Sequence, residues 1–239
     1  MTSPAGHEPD SRRRRIAVGS GGILLLLLAL IGPAGAAQTP TELRFQAFAK
    51  NPDRHRATGC RRVAAPTPRR NPRFRAPERV VIPGEMLTAV VSTSCGSFEI
   101  RLAVARAPLT VNSFVFLAKG GFYDGLTFHR AAPGFVIQGG DPLGTGIGGP
   151  GYSVDEKPPP DLSYEKGMVA MAKNLAEPSG RSGSQFFVML QSVPLPPKYA
   201  LLGKVSRGMN VVKRIGRLGT PSEEPRQTVL IEKISIRRS

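Results

Sequence analysis

The C-terminal two thirds of the chain consists of short apolar runs separated by turn residues. In one of them Phe98, Ile100 and Leu102 alternate with charged side chains, which is typical of a strand with one face in water. In this part of the chain, helical spacing occurs in two places, after Pro108 and at residues 209–217. Because these helices do not alternate with the strands, the pattern predicts a mainly β protein, a closed eight-stranded antiparallel barrel capped by two α-helices. The predicted strands are residues 86–93, 98–102, 126–129, 135–138, 168–172, 185–190, 201–205 and 228–236.

Residues 1–37 have the composition of an export segment. Four arginines at 12–15 precede an uncharged stretch at 16–37, and Ala34-Gly35-Ala36 resembles a signal-peptide cleavage site. The uncharged stretch is also longer than the roughly 20 residues that a single transmembrane anchor needs. A cleaved signal peptide and a retained anchor therefore both stay open. Either one predicts an extracytoplasmic protein, membrane-anchored or secreted.

Residues 38–83 are predicted to form a basic, proline-rich linker ahead of a domain at 84–239. Low hydrophobicity and frequent proline favour an extended spacer. Its arginines indicate either adhesion to anionic lipid or wall polymer, or simply a well-solvated spacer. Residues 1–80 hold 15 of the 33 Lys and Arg but only 5 of the 17 Asp and Glu. The net charge is therefore +10 in residues 1–80 and +6 in the rest, so most of the net positive charge lies outside the domain, and we predict no nucleic-acid partner.

Cys60 and Cys95 are the two cysteines of the chain. A disulfide between them can persist on the exported side of a membrane, where it would tie the linker to the first predicted hairpin. Two unpaired thiols are the alternative. Cys60 lies too far from the apolar run to be a lipid-modified residue, and the cysteines and histidines lack the spacing of a metal site.

Residues 127–141 and 183–187 concentrate aromatic rings, glutamines and one arginine in a chain with only 6% aromatic residues. This composition predicts an apolar pocket with one strong hydrogen-bond donor. Residues 144–149 also fit the pattern G-x-G-x-x-G, but prolines follow instead of the helix that a dinucleotide site requires. We therefore interpret the glycines as a tightly folded loop.

These motifs resemble the cyclophilin family of peptidyl-prolyl isomerases, from about residue 86 to the C-terminus. The resemblance implies the barrel with two helical caps, an active site on its outer face, and no cofactor, metal or covalent intermediate. It also implies peptidyl-prolyl cis-trans isomerase activity on unfolded or proline-containing polypeptides. The segments that carry it include Val111-Asn112-Ser113-Phe114, Phe128-His129-Arg130, Pro133-Gly134-Phe135, Gln138-Gly139-Gly140-Asp141, Gly183-Ser184-Gln185-Phe186-Phe187 and Leu202-Gly203-Lys204-Val205.

The resemblance further implies roles for individual residues. Arg130 would donate to the nitrogen of a twisted prolyl bond, and His129 beside it would fill a structural slot without acid–base work. Apolar side chains would hold the proline ring, and glutamines and backbone would grip the peptide. The implied catalytic residues are Arg130, Phe135 and Gln138, and the implied substrate-binding residues are Ala172, Lys173, Gln185, Phe187, Leu195 and Tyr199.

The chain departs from the family at the rim of this site. Lys173 stands where asparagine is common, and residues 174–182 form a longer segment than in compact members. Tyr199 replaces a usual histidine, and the chain contains no tryptophan. These departures imply an altered groove and weaker binding of cyclosporin-type ligands.

Two functions are compatible with these residues. The first is an isomerase, expected to be a monomer, that accelerates the folding of exported proteins and contacts the membrane only if its N-terminal segment is uncleaved. The alternative is a non-catalytic proline-peptide-binding module or holdase chaperone. Arg130 favours the enzyme, because a pure binder has no need to stabilise a twisted amide.

Overall fold

The computed structural model describes residues 58–69 and 74–238. The predicted signal or anchor segment, residues 1–37, lies outside the described residues, as does most of the first half of the predicted linker. Within the described ranges, no helix is long and apolar enough to cross a membrane.

The described chain is mainly β, with two α-helices, as the sequence predicts. Nine strands form one curled antiparallel sheet, a half-barrel, in the order β3-β11-β1-β2-β10-β7-β9-β5-β4, and β6 and β8 form a separate pair. The elements in chain order are β1 (Leu87–Thr93), β2 (Gly96–Leu102), α1 (Pro108–Lys119), β3 (Leu126–Thr127), β4 (Arg130–Ala132), β5 (Val136–Gly139), β6 (Val154–Asp155), β7 (Met168–Met171), β8 (Arg181–Ser182), β9 (Phe186–Met189), β10 (Leu201–Arg207), α2 (Met209–Gly216) and β11 (Leu230–Arg238).

The prediction of eight strands was wrong for two reasons. The predicted strand 126–129 ends at Thr127 as β3, which pairs with β11, and an unpredicted strand, β4, begins at Arg130 and pairs with β5. The strands β6 and β8 have two residues each, too few to show an alternating pattern. The end strands of the sheet, β3 and β4, are not paired with each other in the described chain, although an isolated bridge joins Thr127 to Asp141.

The curled sheet buries apolar side chains on both faces. On one face, residues such as Ile137 of β5 and Val188 of β9 form the main core with Phe114 of α1 and Ile215 of α2. The next residues along the same strands point the other way, since strand side chains alternate. They form a second apolar cluster, which contains Ala132, Val136, Ala170, Phe187, Met189 and Leu201. This second cluster lies on the face away from the helices and supports the site described below.

One of the two described parts of the predicted linker, residues 58–69, lies along the domain, and we call it the strap. The backbone N–H of Arg61 donates to Ser94 O at 2.7 Å, and that of Arg69 donates to Pro142 O at 3.0 Å. The Arg61 guanidinium pairs with Glu232 at 2.5 Å, and the Arg69 guanidinium donates to the carbonyls of Phe122 and Asp124. Both arginines therefore bind groups of the domain.

A disulfide joins Cys60 of the strap to Cys95 in the turn between β1 and β2, with the two Cα atoms 4.0 Å apart. Cys95 is buried beneath the strap, and Arg214 of α2 donates to its carbonyl at 2.7 Å. The strap is thus covalently attached to the first hairpin, and a hydrogen bond links that hairpin to α2.

Removing this disulfide should destabilise the domain. The two cysteines are 35 residues apart, and closing a loop of that length stabilises a protein by roughly 3–4 kcal/mol in the chain-entropy treatment. We expect the double variant Cys60→Ser/Cys95→Ser of residues 58–239 to lose about that much free energy of unfolding in a urea titration. Reductant should shift the wild-type midpoint toward that of the variant and leave the variant unchanged. Equal midpoints without reductant would contradict the prediction.

Candidate active site

Strand register places two of the predicted catalytic residues, Arg130 and Gln138, side by side with Phe187, which was predicted to bind substrate. Arg130 of β4 is opposite Gln138 of β5, and Gln138 is opposite Phe187 of β9. Phe187 is in turn opposite Ala170 of β7. Directly opposed residues of antiparallel strands project from the same face of a sheet. This row therefore presents a guanidinium, an amide and an aromatic ring on the face of the second apolar cluster.

The Arg130 guanidinium is held along one edge. Its Nε donates to Glu223 Oε2 at 2.6 Å, and its Nη1 donates to Gln138 Oε1 at 3.1 Å. Its Cζ lies 5.8 Å from the centre of the Phe135 ring, within the range of a cation–π contact. Its Nη2 makes no hydrogen bond within the described residues. The side chain is 34% exposed, so the group is fixed in orientation while some of its donors stay accessible.

A chain of amides continues from Arg130. Gln138 Nε2 donates to Gln185 Oε1 at 2.9 Å, and Gln185 Nε2 donates to the carbonyls of Gly146 and Gly148, each at 2.9 Å. Because a carbonyl can only accept, Gln185 must turn its amide nitrogen to the glycines and its oxygen to Gln138. Gln138 must then turn its own oxygen to Arg130. The backbone therefore sets the direction of every hydrogen bond in the row.

The glycine-rich loop that anchors these amides is folded around Asp141. The buried Asp141 carboxylate accepts from the backbone N–H groups of Leu143, Thr145 and Gly146 at 2.8, 2.9 and 2.5 Å. The next regular element after the loop is the short strand β6, not a helix. This agrees with its interpretation as a tight loop and removes the helix N-terminus that a dinucleotide site needs.

The two predicted segments meet where Gly140 approaches Ser184. The Ser184 hydroxyl donates to Gly140 O at 2.7 Å. Gly140 has φ 86°, and a Cβ built on it would lie 2.6 Å from Ser184 O. Glycine is therefore required here by both backbone conformation and space.

The apolar part of the site is a layer of aromatic rings. Phe187 is 5% exposed, and its ring centre lies 5.3 Å from that of Tyr199 in an edge-to-face arrangement. Phe135 and Leu195 pack against the same cluster. Tyr164 fixes the backbone of Tyr199, because its hydroxyl donates to Tyr199 O at 2.9 Å and accepts from Tyr199 N at 3.0 Å.

The remaining predicted residues line a groove beside the amide row. A cavity of about 760 Å³ is bordered by Gln138, Gln185, Ala172 and Lys173. Ala172 N donates to Gln185 O at 2.8 Å, which joins the groove to β9. Lys173 Nζ donates to the carbonyls of Asn174 and Glu177, each at 2.8 Å. Its ammonium thus braces the longer loop at the groove rim. Cys60 and Cys95 belong to the strap attachment, not to this site.

His129 is next to Arg130 but does not join the polar row. Neither ring nitrogen has a hydrogen-bond partner within the described residues, and both are buried. Burial has the largest effect and lowers the pKa of His129. The charge of Asp141 raises this pKa by less, and the charge of Arg130 lowers it further. His129 is therefore neutral at neutral pH.

Sequence reasoning missed two residues of the site, Glu223 and Tyr164. Glu223 lies in a loop 93 residues after Arg130, and nothing in its local sequence indicates that contact. Tyr164 follows a proline-rich stretch and sits in no regular strand, so no periodic pattern marks it as buried.

The sequence matches the family "Cyclophilin type peptidyl-prolyl cis-trans isomerase/CLD" over residues 88–236. A peptidyl-prolyl cis-trans isomerase-like 1 of Rhizopus delemar is 42% identical over 150 residues, covering 61% of this chain and 88% of that protein. Peptidyl-prolyl cis-trans isomerase A of Mycobacterium tuberculosis is 39% identical over 169 residues, covering 62% of this chain and 91% of that protein.

Solved structures give the same result. A cyclophilin-type peptidyl-prolyl cis-trans isomerase of Cryptosporidium parvum, crystallised in the presence of the dipeptide Ala-Pro, is similar with a TM-score of 0.59 and 31% identity. The similarity covers 64% of this chain and 99% of that one. The family resemblance inferred from the motifs is confirmed.

The buried imidazole should make stability depend on pH. Because the folded-state pKa of His129 is lowered, the unfolded chain binds a proton that the folded chain excludes. This contribution to stability is present above the unfolded pKa of about 6.5 and is lost as pH falls toward the folded pKa, by at most about 1.4 kcal/mol per pH unit. We expect urea unfolding between about pH 5 and 7 to show this slope in the wild type and a weaker one in His129→Leu. Identical slopes would contradict the assignment.

Proposed function

The chain belongs to the cyclophilin-type peptidyl-prolyl cis-trans isomerase family, and from that premise we propose that Arg130 is the group with which it accelerates rotation about X-Pro bonds. One observation carries the proposal. The Arg130 guanidinium is held by Glu223 and Gln138 with donors left over, on the same sheet face as an apolar pocket at Phe187.

Rotation about a peptide bond requires no bond to break. Resonance keeps the amide planar behind a barrier of about 18–20 kcal/mol, and uncatalysed X-Pro isomerisation takes tens to hundreds of seconds. When the bond twists, the prolyl nitrogen loses conjugation and regains a basic lone pair. A donor that binds this nitrogen stabilises the twisted amide more than the planar one, and such differential binding is catalysis.

Arg130 suits this task because its guanidinium stays charged and presents several donors in a plane. An acceleration of about 10⁵ requires roughly 7 kcal/mol of transition-state stabilisation. One charged hydrogen bond contributes about 1.5–3 kcal/mol. The remainder has to come from holding the substrate in a geometry that favours the twist.

We assign that holding to the pocket and the groove. Phe135, Phe187 and Leu195, with Tyr199 at the edge of Phe187, would enclose the proline ring. Gln138, Gln185 and the backbone at residues 172–173 would bind the peptide on either side of it. The Cryptosporidium relative, crystallised in the presence of Ala-Pro, supports a proline-containing peptide as the ligand.

We further propose that the protein acts outside the cytoplasm on exported chains. Residues 1–37 support this because they have the composition of a signal peptide or anchor. The disulfide between Cys60 and Cys95 supports it as well, because disulfides persist in oxidising compartments. Closure of the half-barrel into a full barrel is also a proposal, supported by the bridge between Thr127 and Asp141.

Arg130→Ala should abolish most isomerase activity. We expect kcat/KM to fall about a hundredfold or more in a protease-coupled assay with an Ala-Pro peptide, because the donor to the twisted nitrogen is lost. Arg130→Lys should lose most activity too, since it keeps the charge but not the planar fork. Circular dichroism should be unchanged. The exposed Arg101 on β2 offers a matched control, and Arg101→Ala should behave as wild type.

The same assay separates the enzyme from a proline-peptide-binding module or holdase. Full turnover in Arg130→Ala would exclude the proposed mechanism. Absence of turnover in the wild type, with peptide binding retained, would establish the non-catalytic alternative.

Export should be visible at the N-terminus of the mature protein. Mass spectrometry of the chain from its native host should find either a new N-terminus close to residue 37 or an intact N-terminus in the membrane fraction. An intact chain recovered entirely from the cytoplasm would contradict the proposed localisation.

A further inference from the structure

We propose that Glu223 is a positioning residue for Arg130, acting through the hydrogen bond between its carboxylate and Arg130 Nε. The inference rests on the proposed catalytic role of Arg130. It assigns a task to the loop of residues 217–226, which follows α2 and contains none of the residues predicted to touch substrate.

The loop has a defined backbone. An isolated bridge pairs Gly219 with Pro225, and Thr220 donates to Glu224 O from its backbone N–H at 3.1 Å and from its hydroxyl at 2.9 Å. Glu223 N donates to Thr220 O at 2.9 Å. These bonds hold Glu223 in one place, so the position of its carboxylate does not depend on the contact with Arg130 alone.

Glu223 has φ 64°, and among the described residues it is the one non-glycine residue with a positive φ. This left-handed conformation is unfavourable for a glutamate, while glycine, asparagine and aspartate adopt it more readily. A long acidic side chain at such a position needs a reason, and strained conformations concentrate at functional sites. The hydrogen bond from Arg130 to the carboxylate is a reason that applies to the glutamate side chain in particular.

Glu223 fixes the strand of Arg130 as well as its side chain. Ala131 N, the next residue of β4, donates to Glu223 O at 2.7 Å. The loop approaches β4 so closely that a Cβ on Gly219 would lie 2.1 Å from Ala131 O. Glu223 therefore binds the β4 backbone next to Arg130 through its carbonyl oxygen, and it binds Nε of the Arg130 guanidinium through its carboxylate.

Binding at Nε determines which donors remain for a substrate. With Nε on Glu223 and one hydrogen of Nη1 on Gln138, rotation of the guanidinium would break one of the two bonds. The other hydrogen of Nη1 and both of Nη2 keep a fixed direction. The side chains of the ion pair are 34% and 43% exposed, and pairs so exposed contribute little to stability. The contact should therefore affect turnover more than folding.

The test uses the full chain with three substitutions, assayed with an Ala-Pro peptide. Glu223→Gly removes the carboxylate and suits the positive φ, so it should fold. We expect its kcat/KM to fall about ten- to a hundredfold, mainly in kcat, because the donors are misplaced. Glu223→Gln keeps an acceptor for Nε and should stay within about threefold of wild type. Glu224→Ala is the matched control and should be unchanged, since the Glu224 side chain makes no hydrogen bond within the described loop.

An independent readout follows Arg130 itself. The ¹⁵Nε–¹Hε signal of Arg130 should shift and exchange faster in Glu223→Gly than in wild type, and Glu223→Gln should restore it. A purely structural role of Glu223 would leave this signal in place as long as the protein is folded.

Coupling to Arg130 completes the experiment. In an Arg130→Ala background, Glu223→Gly should cause no further loss, and an additional loss would overturn the proposal. Wild-type kcat/KM in Glu223→Gly, beside an inactive Arg130→Ala, would also overturn it while leaving the proposed function intact. A Glu223→Gln variant as impaired as Glu223→Gly would overturn the hydrogen-bond account. Full activity in Arg130→Ala would instead refute the proposed catalytic role of Arg130, on which this inference rests.

Discussion

The pairing of β4 with β5 is the constraint on which the site depends. It sets Arg130 opposite Gln138, and the next pairing sets Gln138 opposite Phe187. A shift of one residue in either register would turn the guanidinium or the ring to the opposite face, into the main core. The packing of β5 and β9 opposes this, because such a shift would also move Ile137 or Val188 out of the main core. The packing of the core thus fixes the order of the polar groups on the other face.

The polar groups form a row whose two ends are anchored differently. At one end the carbonyls of Gly146 and Gly148 bind Gln185, and a backbone carbonyl cannot reverse its role as acceptor. At the other end the carboxylate of Glu223 binds Arg130. Because the groups at both ends accept hydrogen bonds, the side chains of Arg130, Gln138 and Gln185 between them can orient their donors in only one consistent way. Such a row holds its orientation before a substrate arrives, which is what electrostatic catalysis requires.

The sequence predicted the parts of this protein that depend on local pattern. Alternation in 98–102 identified β2, helical spacing after Pro108 identified α1, and motif resemblance placed Arg130, Gln138 and Phe187 in one site. It did not predict that β3 ends at Thr127 and that β4 begins at Arg130, because β3 pairs with β11, which lies far away in the sequence, while β4 pairs with the neighbouring β5. The contact of Glu223 with Arg130 could not be predicted from the sequence either. It depends on a loop conformation 93 residues away, with a positive φ that composition does not indicate for glutamate.

The strap and the site share one loop. Arg69 N donates to Pro142 O, next to the Asp141 carboxylate that organises the glycine-rich loop, and the same loop supplies the carbonyls that orient Gln185. The strap is also tied to the first hairpin by Cys60. The strap therefore contacts the glycine-rich loop at Pro142, while Gly146 and Gly148 of the same loop border the groove. Because a loop held on both sides loses less conformational entropy when a peptide binds, the strap should contribute to preorganising the groove.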